Sequence, residues 1–419
     1  MSSSIIHKKS DDFYIEKTKI LDVVAKHKTP LYIYSKKQIL SQISDFSSSL
    51  DGLNSLICFA VKANSNIAIL NLMAEQGLGF DIVSGGELKR VIAAKGDPKK
   101  VVFSGIGKSH DEIQLAIEEG ILSFNIESQE ELLKIQSIAQ KLDKKAPISI
   151  RVNPNVDAKT HPYISTGLKD NKFGVAENEA IELYRLAKEL SHIQIKGVDC
   201  HIGSQITEIA PFTDSLKKLI HIYDQLNSLG IELEHIDIGG GIGIDYMDDN
   251  PPSFSDYAKA IKAVLGNRQI QIIFEPGRVI VGKAGILVTK IEYLKKGETK
   301  NFAIVDAAMN DLMRPSLYDA YHEIINLSPN NNINEETYDV VGPVCETGDF
   351  LGKQRKLSIH TGDMLAVLDA GAYGMSMSSN YNSRPRACEV IVDDEHFYEI
   401  KSRETFDQLI ANEKLIPQK

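Results

Sequence analysis

Eight short apolar or β-branched runs, each followed by a longer stretch of helical period, constrain this chain more than any other feature. The runs are LICFAVKA from Leu56, GFDIVS from Gly79, VVFSG from Val101, SFNIES from Ser123, PISIRVN from Pro147, IKGVDCHIG from Ile195, HIDIGG from His235 and IQIIFEPG from Ile270. In NIAILNLMAEQG, between the first two, Ile67, Ile69, Leu70, Leu72 and Met73 recur at helical spacing and Gly77 ends the segment. GGELKRVIAAKG stops at Gly96, and SHDEIQLAIEEG opens with Ser109 and Glu112 in a capping-box pattern. Strands alternating with helices predict parallel βα units. Eight of them suit a (β/α)8 barrel more than an open doubly wound sheet, which accommodates the same alternation.

After about Gly285 the rhythm changes. GILVTKIEYLKKG, KNFAIVDA, TYDVVGPVCE, DMLAVLDAGAY, ACEVIVDD and HFYEIK are strand-like with few helices between them. The expected class is α/β: a TIM-type barrel over 35–285, and a second, mainly antiparallel β domain, sandwich- or barrel-like, from 1–34 plus 286–419. TPLYIYS, from Thr29, would lead from that domain into the barrel, and the polar NLSPNNNINEE, Asn326 to Glu336, reads as an exposed loop.

A net charge of -10 over 419 residues, without long runs of either sign, disfavours nonspecific nucleic-acid binding. No stretch has the length of a membrane span or a signal-peptide core. Cys58, Cys200, Cys345 and Cys388 are scattered without CxxC spacing, so neither a metal site nor a disulfide framework is expected, and a reducing cytoplasm is the natural location.

In a parallel α/β barrel the reactive groups sit at the C-terminal ends of strands. Here Lys62 closes the first run. Asp81, Ser84, Gly85 and Gly86 close the second, Arg151 and Asn153 the fifth, and His201, Gly203 and Ser204 the sixth. Gly239, Gly240 and Gly241 close the seventh, and Glu275, Pro276, Gly277 and Arg278 the eighth. Each has an ordinary explanation: a strand-end lysine snorkels to water, a lone histidine is a hydrogen-bonded structural residue, and three glycines mark a tight turn. Their accumulation on one rim is what those explanations leave unaddressed. A glycine turn also lets backbone N–H groups cradle a phosphate. IGGGIG does not follow the GxGxxG dinucleotide pattern. Together a lysine, a phosphate cradle, a buried-strand glutamate and an arginine suggest pyridoxal 5'-phosphate.

The strings FAVKAN, FDIVSGGEL, HIGSQ, IGGGIG, FEPGR, MRPSLYDAYH, GPVCETGDF and DAGAYGMSMSSNYNSRPR, in that order, resemble the diaminopimelate decarboxylases, whose fold is shared with alanine racemase and ornithine decarboxylase. The resemblance covers about residues 30 to 390. It implies that Lys62 joins the cofactor aldehyde, with Asp81 near it, that Glu275 pairs with the ring nitrogen and that His201 stacks on the ring. A lysine partly removed from water is the better amine nucleophile. Ser204, Gly239, Gly240, Gly241, Gly277 and Arg278 would line the phosphate and the neighbouring substrate pocket, and Tyr373 would add a hydroxyl. Arg314 and Tyr318, with Arg278 close by, would hold the far carboxylate of an amino-acid substrate, and Glu346 its ammonium. Cys345 would be the acid that protonates the substrate carbon, reaching the site from the partner of a homodimer. Without that context Arg314 is an ordinary surface arginine, Tyr318 a packing residue and Cys345 a small buried hydrophobe.

The implied activity is decarboxylation of meso-diaminopimelate to L-lysine. A carboxynorspermidine, arginine or ornithine decarboxylase, an amino-acid racemase and a non-catalytic homologue are the alternatives. In NYNSRPR, Tyr381 stands where phenylalanine is more usual, a change expected to matter little. THPYISTGLKDNKFG, from Thr160 to Gly174, resembles a loop over the site, with no role assigned to His161 or Lys172.

Overall fold

The computed structural model describes residues 5–158, 166–167, 171–328 and 334–417. His161, most of the rest of the 160–174 stretch, and the middle of the Asn326–Glu336 loop lie outside them. The chain forms two units. One comprises Gln42–Ile244 and Asp249–Val279; the other, discontinuous in sequence, comprises Met1–Ser41, Asp245–Asp248 and Ile280–Lys419.

The first unit is a closed barrel. Its strands are Ser55–Ala60, Gly79–Ile82, Val101–Phe103, Ser123–Ile126, Ala146–Arg151, Ile193–Asp199, His235–Asp237 and Gln271–Phe274, each parallel to the next, with the eighth closing on the first. The eight runs expected from sequence are these eight strands. Most of their residues, and all at their C-terminal ends, are buried, as befits strands covered on both faces.

The helices between them form for local reasons. Ser109 caps His110–Glu119 by accepting the Glu112 N–H, and the Glu112 carboxylate accepts the Ser109 N–H in return. Gly120, at φ 70°, ends that helix in the left-handed conformation that glycine adopts without strain. Asn66, Ser84, Ser128 and Ser253 cap four more helices in the same unit. On the inner side, Phe46 packs against Phe254, Tyr257 and Phe274, fixing one helix against the eighth strand.

Register decides which side chains meet. Along the parallel pairs Arg151 lies opposite Asp199, and Asp199 opposite Asp237; Ala60 lies opposite Asp81. Residues in register across a pleated sheet point to the same face. One row of the barrel therefore carries Arg151, Asp199 and Asp237 together, all buried.

The second unit is mainly antiparallel. The twelve-residue strand Gly285–Lys296 is its spine, pairing with Leu31–Ser35, Asn301–Val305 and Met364–Val367. TPLYIYS supplies Leu31–Ser35, which pairs in parallel with Cys388–Asp393. Ile15, Leu31, Ile33, Ile286, Val288, Val390 and Val392 make the core. Helix Lys36–Ser49 then carries the chain into the barrel unit.

The capping box predicts a measurable increment. Ser109→Ala removes the side-chain acceptor for the Glu112 N–H and is expected to lower unfolding free energy by about 1 kcal/mol. Urea titration of the barrel transition would read it as a lower midpoint with unchanged slope.

Candidate active site

The lysine in FAVKAN, just past the first barrel strand, neither floats in solvent nor lies in the core. Lys62 sits in a single 3-10 turn, Val61–Ala63, immediately after the first barrel strand, with about a third of its side chain exposed. Its ammonium lies 2.5 Å from Oδ2 of Asp81, which is fully buried. Asp81 is in the second strand opposite Ala60, so parallel register holds the carboxylate where the amine emerges.

Beside this pair is an excess of buried acid. Carboxylate oxygens of Asp199, Asp237 and Glu275 lie within 4.8 Å of one another. Arg151 partly offsets them, with Nη1 3.1 Å from Glu127 and Nε 3.9 Å from Asp199. Burial, then Asp237, Asp81 and Asp199, pushes the Glu275 carboxyl well above the usual carboxylate range, and Lys62 opposes the shift. Burial likewise raises Asp237 to about 7 and drives Asp199 upward. Oε1 of Glu275 is buried with no hydrogen-bond partner among the described residues. A buried carboxyl with an unmatched oxygen, among other acids, fits a ligand that brings a cationic N–H donor. The spacing also admits a divalent cation, since Asp199 Oδ1 and Asp237 Oδ2 are likewise buried without a hydrogen-bond partner among the described residues; a cationic N–H donor fits the Glu275 oxygen.

His201 is held by its backbone and one ring nitrogen. Its carbonyl accepts from the Thr166 hydroxyl at 2.8 Å, and Nδ1 accepts the Gly240 N–H at 3.2 Å. Burial, then Lys62 and Arg151, holds its pKa well below that of an ordinary histidine, so the imidazole is neutral. Ser204 Oγ accepts from Nη2 of Arg278 at 3.0 Å.

The glycine run has two causes. A Cβ on Gly240 would lie 2.0 Å from the Glu275 carbonyl oxygen, and one on Gly241 2.4 Å from that of Gly203. Close backbone passage thus requires glycine there, apart from any ligand. Gly239 already donates its N–H to Asp237 at 2.9 Å and Gly240 donates to His201, so two of the three N–H groups are committed inside the protein. Gly277 is needed because a Cβ would press on Ala60 and Ala63, the residues flanking the Lys62 turn.

In the second unit Arg314 is buried at the start of the short helix Arg314–Tyr318, and Tyr318 at its end is half-buried. Cys345 and Glu346 are exposed. Their loop is pinned by Asp349, whose carboxylate accepts the N–H groups of Val344 and Met309, each at 2.7 Å. Asn382 accepts the Cys345 N–H at 3.2 Å. The Tyr381 hydroxyl donates to Glu346, so the tyrosine in NYNSRPR, expected to be neutral, orients a candidate site residue. Tyr373 is half-buried at φ 56°, unusual for a bulky side chain.

Glu127, Asp199 and Asp237 were not singled out by the sequence, and Arg151 was noted without a role. Arg151, Asp199 and Asp237 end barrel strands, so the strand-end rule that located Lys62 was the available signal.

Residues 36–282 match the pyridoxal-dependent decarboxylase family through its pyridoxal binding domain. The chain is 54% identical over 409 residues to a diaminopimelate decarboxylase of Haemophilus influenzae, covering 97% of this chain and 99% of that one. It is 52% identical over 407 residues to that of Pseudomonas aeruginosa, covering 97% and 98%. A crystal structure of diaminopimelate decarboxylase from Helicobacter pylori complexed with L-lysine superposes with a TM-score of 0.90 at 45% identity, covering 93% of this chain and 98% of that one. The chain belongs to the pyridoxal-dependent decarboxylases and, within them, to the diaminopimelate decarboxylase family. Its cofactor is pyridoxal phosphate.

Removing that cofactor has a signed consequence. Asp237 has a folded pKa raised above its unfolded value, so the stability it contributes is complete below the unfolded pKa and is lost as pH rises through about 7. A cationic donor among the acids opposes that loss. Cofactor-stripped protein is expected to lose more melting temperature between about pH 5.5 and pH 7.5 than the loaded form. Equal losses by differential scanning calorimetry would contradict the charge argument.

Proposed function

We propose that this chain removes carbon dioxide from the D-configured carbon of meso-diaminopimelate and releases L-lysine, the last step of lysine biosynthesis. The observation that carries it is the Lys62–Asp81 pair on the rim that also holds the unpartnered Glu275 oxygen, in a chain similar over nearly its whole length to diaminopimelate decarboxylases.

Bound pyridoxal phosphate supplies an electron sink for the pair left when the carbon–carboxylate bond breaks. The protein does the rest. Lys62 offers the amine that anchors the aldehyde, and Asp81 orients that amine and steadies its proton. Glu275 would meet the ring nitrogen and keep a proton there, and the neutral His201 ring would offer the cofactor a flat face. Ser204, Arg278, Gly241 and Gly277 would hold the phosphate with the Tyr373 hydroxyl, while Gly239 and Gly240, whose N–H groups go to Asp237 and His201, would line it as close backbone. Arg314 and Tyr318, aided by Arg278, take the carboxylate that the reaction retains, and Glu346 takes the distal ammonium. Cys345 gives a proton to the carbon that has lost its carboxylate. Arginine in this role matches a carboxylate through paired N–H donors, which an ammonium-ended substrate would not need.

We assign Cys345 to the site of a second copy, making a homodimer with shared sites; its exposure on this chain agrees with that assignment. Four unpaired cysteines agree with a cytoplasmic location.

Holoenzyme given meso-diaminopimelate should release carbon dioxide and form lysine; stereoisomer exchange without gas would mark a racemase, and turnover of carboxynorspermidine alone would move the substrate. Borohydride should fix the cofactor on Lys62, located by peptide mass spectrometry. Lys62→Ala should abolish turnover and Cys345→Ala reduce it at least about a hundredfold with cofactor still bound. Mixing these two variants under subunit exchange should restore about one quarter of the sites, since a mixed dimer has one intact site. No recovery, with exchange shown by mass, would place Cys345 in the site of its own chain.

A further inference from the structure

The guanidinium of Arg314 is held by a histidine with no assigned role. Nη1 of Arg314 lies 2.7 Å from Nε2 of His322, and Nδ1 of His322 lies 2.7 Å from the Leu368 carbonyl oxygen. His322 is fully buried and Arg314 is 5% exposed. A carbonyl only accepts, so Nδ1 carries the hydrogen. A guanidinium only donates, so Nε2 offers its lone pair. One neutral tautomer satisfies both, and the Leu368 carbonyl selects it. Tyr246 completes the support: the Arg314 guanidinium carbon stands 4.6 Å from its ring centroid, and the His322 ring meets it edge-on at 5.3 Å and 74°. The Tyr246 ring lies against the guanidinium, and the imidazole takes one of its donors.

We propose that His322 is a positioning residue for Arg314, fixing the direction in which the guanidinium presents donors to the carboxylate the substrate keeps; this rests on the role given to Arg314 above. A neutral acceptor suits the task. A carboxylate in place of His322 would orient the guanidinium equally well but would cancel the charge that the substrate must meet. Imidazole supplies direction without opposing charge. A packing role alone would make His322 matter for stability and be indifferent to whether a ligand has a carboxylate.

Two ligands separate these roles. L-Lysine keeps the carboxylate, whereas 1,5-diaminopentane is the same chain without it. His322→Asn keeps a donor near the Leu368 carbonyl and loses the acceptor for Arg314; His322→Gln puts an amide oxygen near the Nε2 position. In cofactor-loaded enzyme, His322→Asn is expected to weaken L-lysine binding and raise the substrate KM about tenfold or more, with kcat within about threefold. Diaminopentane affinity should change less than about twofold, and His322→Gln should recover most of the lysine affinity. Parallel loss for both ligands, or no loss for lysine, overturns the proposal. Arg314→Lys serves as the control. If it leaves the lysine-to-diaminopentane ratio intact, the role of Arg314 fails. If it collapses the ratio and His322→Asn does not, only the positioning role fails. Should His322→Asn not fold, Tyr246→Leu removes the stacking face and must lower the same ratio.

Discussion

A lysine ammonium 2.5 Å from a fully buried aspartate is the contact around which the barrel rim is organised. Neither group alone is stable there. A buried carboxylate without a cation bears an unrelieved desolvation cost, and an amine without a fixed acceptor would wander with its flexible stem. Together they hold an amine at the strand ends, partly shielded from water. The position follows from parallel register: Ala60 opposes Asp81, and Lys62 comes two residues later. The Gly277 contact with Ala60 and Ala63 then keeps the turn close to the eighth strand.

The remaining rim is an unbalanced electrostatic field. Asp199, Asp237 and Glu275 crowd into one volume with Arg151 as the neighbouring guanidinium, and burial drives their pKa values upward. Such a cluster is costly until a cation enters it. A cationic N–H donor entering it would relieve what the fold has accumulated. The neutrality of His201 has the same origin: burial, Lys62 and Arg151 all disfavour a second cation there.

The candidate residues of the two units differ in kind. The barrel supplies rigid strand ends suited to holding a cofactor. The β unit supplies loops and a short helix: Arg314 steered by His322 and Tyr246, and Cys345 with Glu346 in a loop tied by Asp349. Tyr381 shows how one hydroxyl couples two parts of that unit, since it donates to Glu346 across a gap of thirty-five positions.

Local chemistry was legible in the sequence wherever it depends on neighbours along the chain. Period, strand-end polarity and the Ser109 cap gave the βα rhythm, the barrel and the positions of Lys62 and Glu275, because side-chain period and capping are set within a few residues. The buried row of Arg151, Asp199 and Asp237 was not legible, since it exists only after three strands align in register. The glycine run was half legible: the turn was visible, but the backbone atoms of Glu275 and Gly203 that forbid a Cβ are distant in sequence. His322 was quoted within a motif yet had no function until folding placed Leu368 on one ring nitrogen and Arg314 on the other. Sequence determined which groups the chain owns and where each strand ends; tertiary structure decided which of them share a low-dielectric volume, because desolvation and hydrogen-bond direction act through space and not along the backbone.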